Sequence, residues 1–186
     1  MVATSVKRYS FEEYCQYDDG TNTRYELENG YLQAMTPPSF RHILIADKLG
    51  DILKLEIIRL GLPLYCLREA GLRILYEKSR IADLMVISKD KVMEKLDGAG
   101  IYQATPSLVV EIVSPESVTR DYRYKRSEYA TIGVPEYWIV DPKEGKVTVL
   151  VFNEGLYDET VFVGEEKIVS PQFLELDILP QVLFQI

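Results

Sequence analysis

The spacing of apolar residues predicts an alternation of helices and strands along the chain. Apolar positions three and four residues apart indicate helices, and short alternating or continuous apolar runs indicate strands. A capping-box pattern at Ser10 and Glu13 starts the first helix, and Asn29-Gly30 is the favoured turn of a two-residue β-hairpin. Helices are predicted over Glu12–Gln16, Phe40–Leu60 and Thr119–Ile132. Strands are predicted over Tyr25–Glu28, Tyr31–Met35, Leu64–Leu67, Leu72–Tyr76, Ile81–Ile87, Leu108–Val113, Tyr137–Val140, Lys146–Phe152 and Tyr157–Val163.

The order of these elements predicts a mixed central sheet. The strand Leu108–Val113, a crossover helix and the strand Tyr137–Val140 form a right-handed parallel unit, whereas the hairpins are antiparallel. Lys89–Gln103 is predicted to be a polar connection with weak helical character, and the residues after Val163 a short tail. The predicted fold class is therefore α/β or α+β, with a core of helix, three strands, helix and strand. An N-terminal helix and hairpin precede this core, and a C-terminal hairpin follows it.

Composition narrows the class of protein. The 186 residues fit one domain, and 47% hydrophobic with 27% charged residues is typical of a soluble globular protein. A net charge of −8 disfavours extended nucleic-acid binding through bulk positive charge, although a local basic patch remains possible. Cys15 and Cys66 have no metal-binding spacing, and no apolar run approaches the roughly 20 residues of a membrane span. We therefore expect a cytoplasmic protein without a membrane segment.

Two carboxylates interrupt otherwise apolar strands. Side chains two apart in a strand share a face, so Glu111 and Asp83 each lie among apolar neighbours. Asp83 is predicted to share its face with Ile81 and Met85, opposite Ala82, Leu84 and Val86. Because an unpaired buried polar group costs about 2–7 kcal/mol, the two acids indicate a site with a shared cation. The alternative is a pair of separately hydrogen-bonded structural acids.

Lys125 lies on the apolar stripe of the helix that follows Glu111. Tyr122, Lys125, Tyr129 and Ile132 are spaced three, four and three residues apart. The Lys125 side chain should therefore face the sheet and come near the two carboxylates. The alternative is a lysine that extends along the packed helix to solvent.

Three further positions carry weaker signals. Glu26 alternates with apolar neighbours and by itself is most simply a solvent-facing strand residue. His42, the only histidine, is predicted in the first turn of the long helix, where a surface role is the simpler interpretation. Arg123 and Arg126 belong to a local basic cluster that suits phosphate contacts, although a solvated helix face also explains it.

Several of these segments resemble one protein family. The matching segments are Tyr25–Gly30, His42, Asp83, Pro106–Pro115, Asp121, Lys125, Tyr129 and Gly133–Pro142. Together they resemble the Uma-type putative restriction endonuclease family, which belongs to the PD-(D/E)XK nuclease superfamily. The resemblance implies the same core order of helix, three strands, helix and strand. It also implies an acidic site made of Asp83 and Glu111, with Glu26 as an additional acid.

The sequence departs from the superfamily pattern at two positions. Ala82 stands where the superfamily has a proline before the aspartate, and Val113 stands where it has a lysine two residues after the glutamate. The proline binds nothing, so its absence is harmless. The lysine is essential to the pattern, and the resemblance implies that Lys125 on the following helix replaces it.

The leading interpretation is an endonuclease that hydrolyses DNA phosphodiester bonds with Mg²⁺ or Mn²⁺. The metal ligands would be Asp83, Glu111, the Ile112 carbonyl and Glu26, and Lys125 would assist catalysis. Arg123, Arg126 and His42 would contact the nucleic acid, and a homodimer would present two sites to a duplex. The alternative is a non-catalytic nucleic-acid-binding or regulatory protein that retains the nuclease fold.

Overall fold

A computed structural model describes residues 7–186 of the chain. The helices are α1 (Phe11–Cys15), α2 (Phe40–Arg59), α3 (Lys89–Met93), α4 (Arg126–Thr131) and α5 (Pro180–Phe184), and a π-helical turn over Arg120–Lys125 leads into α4. The strands are β1 (Tyr25–Glu28), β2 (Tyr31–Ala34), β3 (Leu64–Leu75), β4 (Lys78–Ser88), β5 (Ile101–Tyr102), β6 (Leu108–Ile112), β7 (Glu136–Asp141), β8 (Lys146–Asn153) and β9 (Leu156–Val163). None of the helices in this part of the chain combines the length and apolar character needed to cross a bilayer.

The strands form one mixed sheet with the order β2-β1-β4-β6-β7-β8-β9, and β3 pairs with both β4 and β5. The pair β6–β7 is parallel, as the crossover through α4 predicts, and the β3–β5 pair is also parallel. The other pairs are antiparallel. The predicted fold class and mixed sheet are confirmed.

Helices cover both faces of the sheet. On one face α2 packs Ile45, Leu49 and Leu53 into a core with alternate residues of β4, β6 and β7. On the other face Tyr129 of α4 packs against a second core that includes Tyr137. Every residue of β6 is buried, so this strand is the central strand that its two apolar faces predict.

The capping box, the hairpin turn and the start of the long helix that the sequence predicts in the N-terminal part are confirmed. The Ser10 hydroxyl accepts from the Glu13 amide at 3.1 Å, and the Glu13 carboxylate accepts from the Ser10 amide at 2.9 Å. Asn29 and Gly30 have φ angles of 52° and 82°, as a two-residue hairpin turn requires. Ser39 caps α2, which ends within one residue of its predicted end.

Four predicted elements differ from the structure in detail. The strands predicted over Leu64–Leu67 and Leu72–Tyr76 form one strand, β3, which continues through a distorted residue, Glu69, with a φ of 52°. The predicted helix Thr119–Ile132 begins as a π-helical turn. The tail is part of the core, because α5 and the segment before it bury apolar side chains against α2 and the sheet. These side chains include Ile168, Phe173, Leu176, Ile178 and Leu183.

Candidate active site

A fork in the sheet forms beside β4. Ser79 near the start of β4 pairs with Leu27 of β1, whereas Leu84–Val86 pair with β6 on the same edge. Between these two pairings, side-chain carboxylates take over the hydrogen bonding of the strands. Glu26 Oε1 accepts from the Ile81 amide at 3.0 Å, and Asp83 Oδ2 accepts from the Ile112 amide at 2.6 Å. The fork therefore brings acids of β1 and β4 next to the end of β6.

Asp83 lies where the alternation of β4 breaks. Ala82 packs in the core beneath α4, whereas Leu84 packs in the core beneath α2, so the prediction that these two residues share a face is wrong. The distorted residue Glu69 of β3 lies opposite this point, between the pairs on either side of it. At this point the Asp83 carboxylate contacts the Ile112 amide of β6 and His42 at the start of α2.

His42 contacts Asp83 directly. The Ser39 cap fixes the first turn of α2 by accepting from the His42 amide at 3.2 Å. The His42 ring then lies with Nε2 3.0 Å from Asp83 Oδ1, and both side chains are mostly buried. The simpler prediction of a surface histidine is therefore wrong, because its ring packs at the fork.

Glu111 and Lys125 form a buried pair on the α4 side of the sheet. Lys125 Nζ lies 2.7 Å from Glu111 Oε2, and the two side chains are 3% and 2% exposed. The Tyr129 hydroxyl donates to Glu111 Oε1 at 2.5 Å. The stripe of the helix thus faces the sheet as predicted, and Lys125 does not extend to solvent.

Val113 shows why the lysine reaches this carboxylate from the helix. Its side chain is buried in the same apolar core as Tyr129. A lysine at this strand position would have to displace that packing. Lys125 instead supplies an ammonium group to Glu111 from the helical segment that packs on this face of the sheet.

Asp121 is a further buried acid of this cluster, and in the sequence it is one of the positions that resemble the family. Its Oδ2 accepts from the Ser117 hydroxyl, and Oδ1 lies 3.5 Å from Lys125 Nζ. Among the residues that the structure describes, no group donates a hydrogen bond to the buried Oδ1. Asp121 and Lys125 both lie on the π-helical turn, a distortion frequent at functional sites.

The electrostatics of this cluster show an excess of buried negative charge. Burial raises the pKa of Glu111 to about 8, although Lys125 opposes the shift, and burial also raises the pKa of Asp121. Burial lowers the pKa of Lys125, but Glu111 and Asp121 raise it more, so its pKa lies above the ordinary value. Glu111 and Asp121 thus both contact one ammonium group, and Asp83 adds a smaller attraction.

The donor set suits a hard divalent cation. In residues 7–186 no group of three or more His, Cys, Asp or Glu side chains is placed to hold a metal ion. Mg²⁺ does not need three such side chains, because it usually binds one or two carboxylates and keeps several waters. Asp83 and Glu111 provide two carboxylates, and a bound cation would favour the charged form of Glu111, which burial disfavours.

Glu26 belongs to a second buried network beside this cluster. It is 4% exposed, so its interpretation as a solvent-facing residue is wrong. Its Oε2 accepts from Arg80 at 3.0 Å. Arg80 also binds both oxygens of Glu128 on α4, at 2.6 and 2.7 Å, and Lys78 lies 2.8 Å from Glu128. This network, which the sequence analysis missed, ties the helix that carries Lys125 to β1 and β4.

The two arginines proposed for phosphate contacts differ in their surroundings. Arg123 is exposed on the π-helical turn. Arg126 donates to the Tyr157 carbonyl at 3.1 Å and to Glu159 at 2.5 Å on β9. Arg126 is thus held by the protein, whereas Arg123 projects from the same helix into solvent.

Known structures share this architecture. The chain is similar to the crystal structure of a putative nuclease belonging to DUF820 from Anabaena variabilis, with a TM-score of 0.78 and 19% identity. The similarity covers 94% of this chain and 97% of that one, and it shows a nuclease-type α+β fold. The chain belongs to the Uma2 family, described as putative restriction endonucleases, whose sequence pattern matches residues 11–180. A search of curated proteins gave no match.

Proposed function

We propose that this protein is a metal-dependent endonuclease that hydrolyses phosphodiester bonds in DNA. The observation that carries the proposal is the buried contact between Glu111 and Lys125 beside Asp83, at the fork of the sheet. A protein without chemistry at this place gains nothing from three acids whose burial is costly. Membership of the nuclease family supports the same conclusion.

Asp83, Glu111 and the Ile112 carbonyl would hold Mg²⁺ or Mn²⁺ at the fork. When bound, the metal ion lowers the pKa of a water ligand and neutralises charge that develops on the phosphate. His42 and the Ile112 amide hold the Asp83 carboxylate, and Tyr129 holds that of Glu111. These contacts fix the two acids before a substrate arrives.

Lys125 supplies the fixed positive charge of the site. Its ammonium group remains protonated because Glu111 and Asp121 stabilise the charge. In a water-excluded site such a charge stabilises a developing negative charge far better than it would in bulk water. Lys125 therefore takes the role that the superfamily assigns to the strand position of Val113.

The remaining predicted site residues have supporting roles. Glu26 accepts hydrogen bonds from Arg80 and the Ile81 amide, and through these contacts it would hold β1 and β4 in place beside the metal ligands. Arg123 and Arg126 would contact phosphates, and His42 lies close enough to Asp83 to meet a bound strand. We further place residues 1–186 in one nuclease-like domain that acts as a cytoplasmic homodimer.

A non-catalytic nucleic-acid-binding or regulatory protein is the second candidate. The net charge of −8 and the apolar Val113 favour it. Nicking of supercoiled plasmid DNA separates the two candidates.

The proposal predicts that the parent protein nicks plasmid DNA with Mg²⁺ or Mn²⁺ and that Asp83→Ala and Glu111→Gln do not. Glu136→Gln is a matched control, because Glu136 is a buried strand acid bonded to Trp138 and Ser170 away from the fork. Circular dichroism confirms folding of each variant. Parental cleavage by either Asp83→Ala or Glu111→Gln would show that the site assignment is wrong.

A further inference from the structure

A second concave region lies on the β1–β2 hairpin. It is an open depression of the surface with a volume of about 490 Å³. Its wall includes Tyr9, Tyr17, Tyr25, Tyr31, Lys7 and Gln33, which we call the tyrosine pocket. The proposed catalytic residues do not line it.

The tyrosine rings are held in place and remain accessible. Tyr17 makes edge-to-face contacts with Tyr9 and Tyr25, at centroid distances of 5.2 and 5.4 Å. The Tyr25 hydroxyl donates to Asp19 at 2.7 Å, which fixes the inner ring. An edge-to-face contact covers one face of one ring only, and these three rings are partly exposed. Ring faces therefore stay available for stacking.

The polar groups at the rim match the parts of a nucleotide. Lys7 Nζ lies 4.3 Å from the centre of the Tyr9 ring and 3.3 Å from Glu13 Oε1; because this ion pair is solvent-exposed and therefore weak, a phosphate can compete with Glu13 for the ammonium group. Gln33 is exposed, and its side-chain amide can both donate to and accept from the edge of a base. Proteins hold unpaired bases by stacking them on aromatic side chains, with positively charged groups along the backbone of the nucleic acid.

The pocket and the candidate active site share one strand. Tyr25 lines the pocket, and the next residue, Glu26, bonds the Ile81 amide at the fork. Neighbouring side chains in a strand point to opposite faces, so the two sites lie on either side of β1. A nucleic-acid strand that reaches both sites must pass around the hairpin. A base that stays paired within a duplex cannot follow this path.

We propose that the tyrosine pocket stacks an unpaired nucleobase of the substrate strand, so that the substrate is single-stranded or locally unpaired DNA. This inference rests on the proposed nuclease function. It adds to that function a subsite for the base and a class of substrate.

The test measures binding of a single-stranded oligonucleotide that carries 2-aminopurine, with EDTA present so that no cleavage occurs. Stacking on tyrosine quenches the probe in the parent protein. Tyr17→Leu and Tyr31→Leu should each remove part of the quenching and weaken binding about 5- to 150-fold, the loss typical for one stacked base. Tyr65→Leu is the matched control, because Tyr65 is 37% exposed and Tyr31 is 38% exposed, and it should bind like the parent.

Equal affinity of the parent and both pocket variants would overturn the subsite, as would equal affinity for an abasic oligonucleotide. Cleavage of the same oligonucleotide with Mn²⁺ then separates the two proposals. Tyrosine-dependent binding without cleavage would support the pocket and contradict the nuclease function. Cleavage with tyrosine-independent binding would contradict the pocket alone.

Discussion

Replacement of Lys125 by methionine tests the mechanism most sharply, because methionine keeps the aliphatic stem and the helix propensity but removes the charge. Lys125 Nζ lies 2.7 Å from Glu111 and 3.5 Å from Asp121. At an effective dielectric constant of about 20, the attraction to Glu111 alone is about 6 kcal/mol, and the desolvation of the two ions offsets much of it.

Two quantities should change in Lys125→Met. Loss of one partner of a buried pair typically lowers the free energy of unfolding by about 3–5 kcal/mol. The loss should lie at the lower end, because burial raises the pKa of Glu111, so that its carboxylate can take up a proton once Lys125 is gone. The rate of DNA cleavage should fall about 100- to 1000-fold, the typical effect of removing one group that stabilises transition-state charge.

The assay is single-turnover nicking of plasmid DNA, with urea unfolding to confirm that the variant is folded. Lys95→Met provides the control, since it removes an exposed lysine by the same chemical change. Adding Val113→Lys to Lys125→Met should restore part of the cleavage rate if the core around residue 113 accommodates the lysine side chain. Cleavage by Lys125→Met at the parental rate would refute the role of Lys125.

Three further outcomes follow from the structure. Without metal, the folded state holds the Glu111 proton more tightly than the unfolded state, so parental stability should fall as the pH rises from 4.5 to about 8. Glu111→Gln lacks this loss, so urea unfolding should show its free energy of unfolding rising relative to that of the parent over this pH range, whereas a pH-independent difference would contradict the raised pKa. Arg123→Ala and Arg126→Ala should each flatten the salt dependence of DNA binding. The effect should be larger for Arg123→Ala, because Arg126 is held by Glu159. Unchanged slopes would show that the two arginines only solvate the helix surface. Glu26→Gln should lower the free energy of unfolding by about 1–3 kcal/mol and reduce cleavage less than Asp83→Ala does. A metal titration of its cleavage rate shows whether added metal restores the loss, as a peripheral ligand requires.

The part of the site that the sequence predicts depends on local periodicity. Glu111 is recognisable because it interrupts an apolar strand, and Lys125 because it interrupts an apolar helical stripe. The crossover between β6 and β7 fixes which face the helix covers. These three signals suffice to predict the Glu111–Lys125 contact.

The rest of the site depends on contacts distant in sequence or on local distortions. Arg80 and Glu128 are 48 residues apart, and each resembles an ordinary charged surface residue in the sequence. Asp121 becomes buried on a π-helical turn, which has no simple sequence pattern. His42 reaches Asp83 because the alternation of β4 breaks beside Glu69. Glu69 has a positive φ, and the sequence gives no sign of it because the residue is not a glycine.

The buried tail shows the same limit for the fold. Ile168, Phe173 and Leu176 are widely spaced apolar residues without helical or strand periodicity. Their burial follows from the surface that α2 and the sheet offer, which is known only from the assembled fold.

Calorimetric titration of Mn²⁺ into the protein without DNA tests the central claim most directly. The parent protein and the Glu136→Gln control should each bind Mn²⁺ in the millimolar range or more tightly. Asp83→Ala should weaken that binding by about 10- to 100-fold or more, because it removes one of the two carboxylates that would hold the ion. Absence of Mn²⁺ binding to the parent, or equal binding to Asp83→Ala, would contradict a metal-dependent nuclease site at the fork.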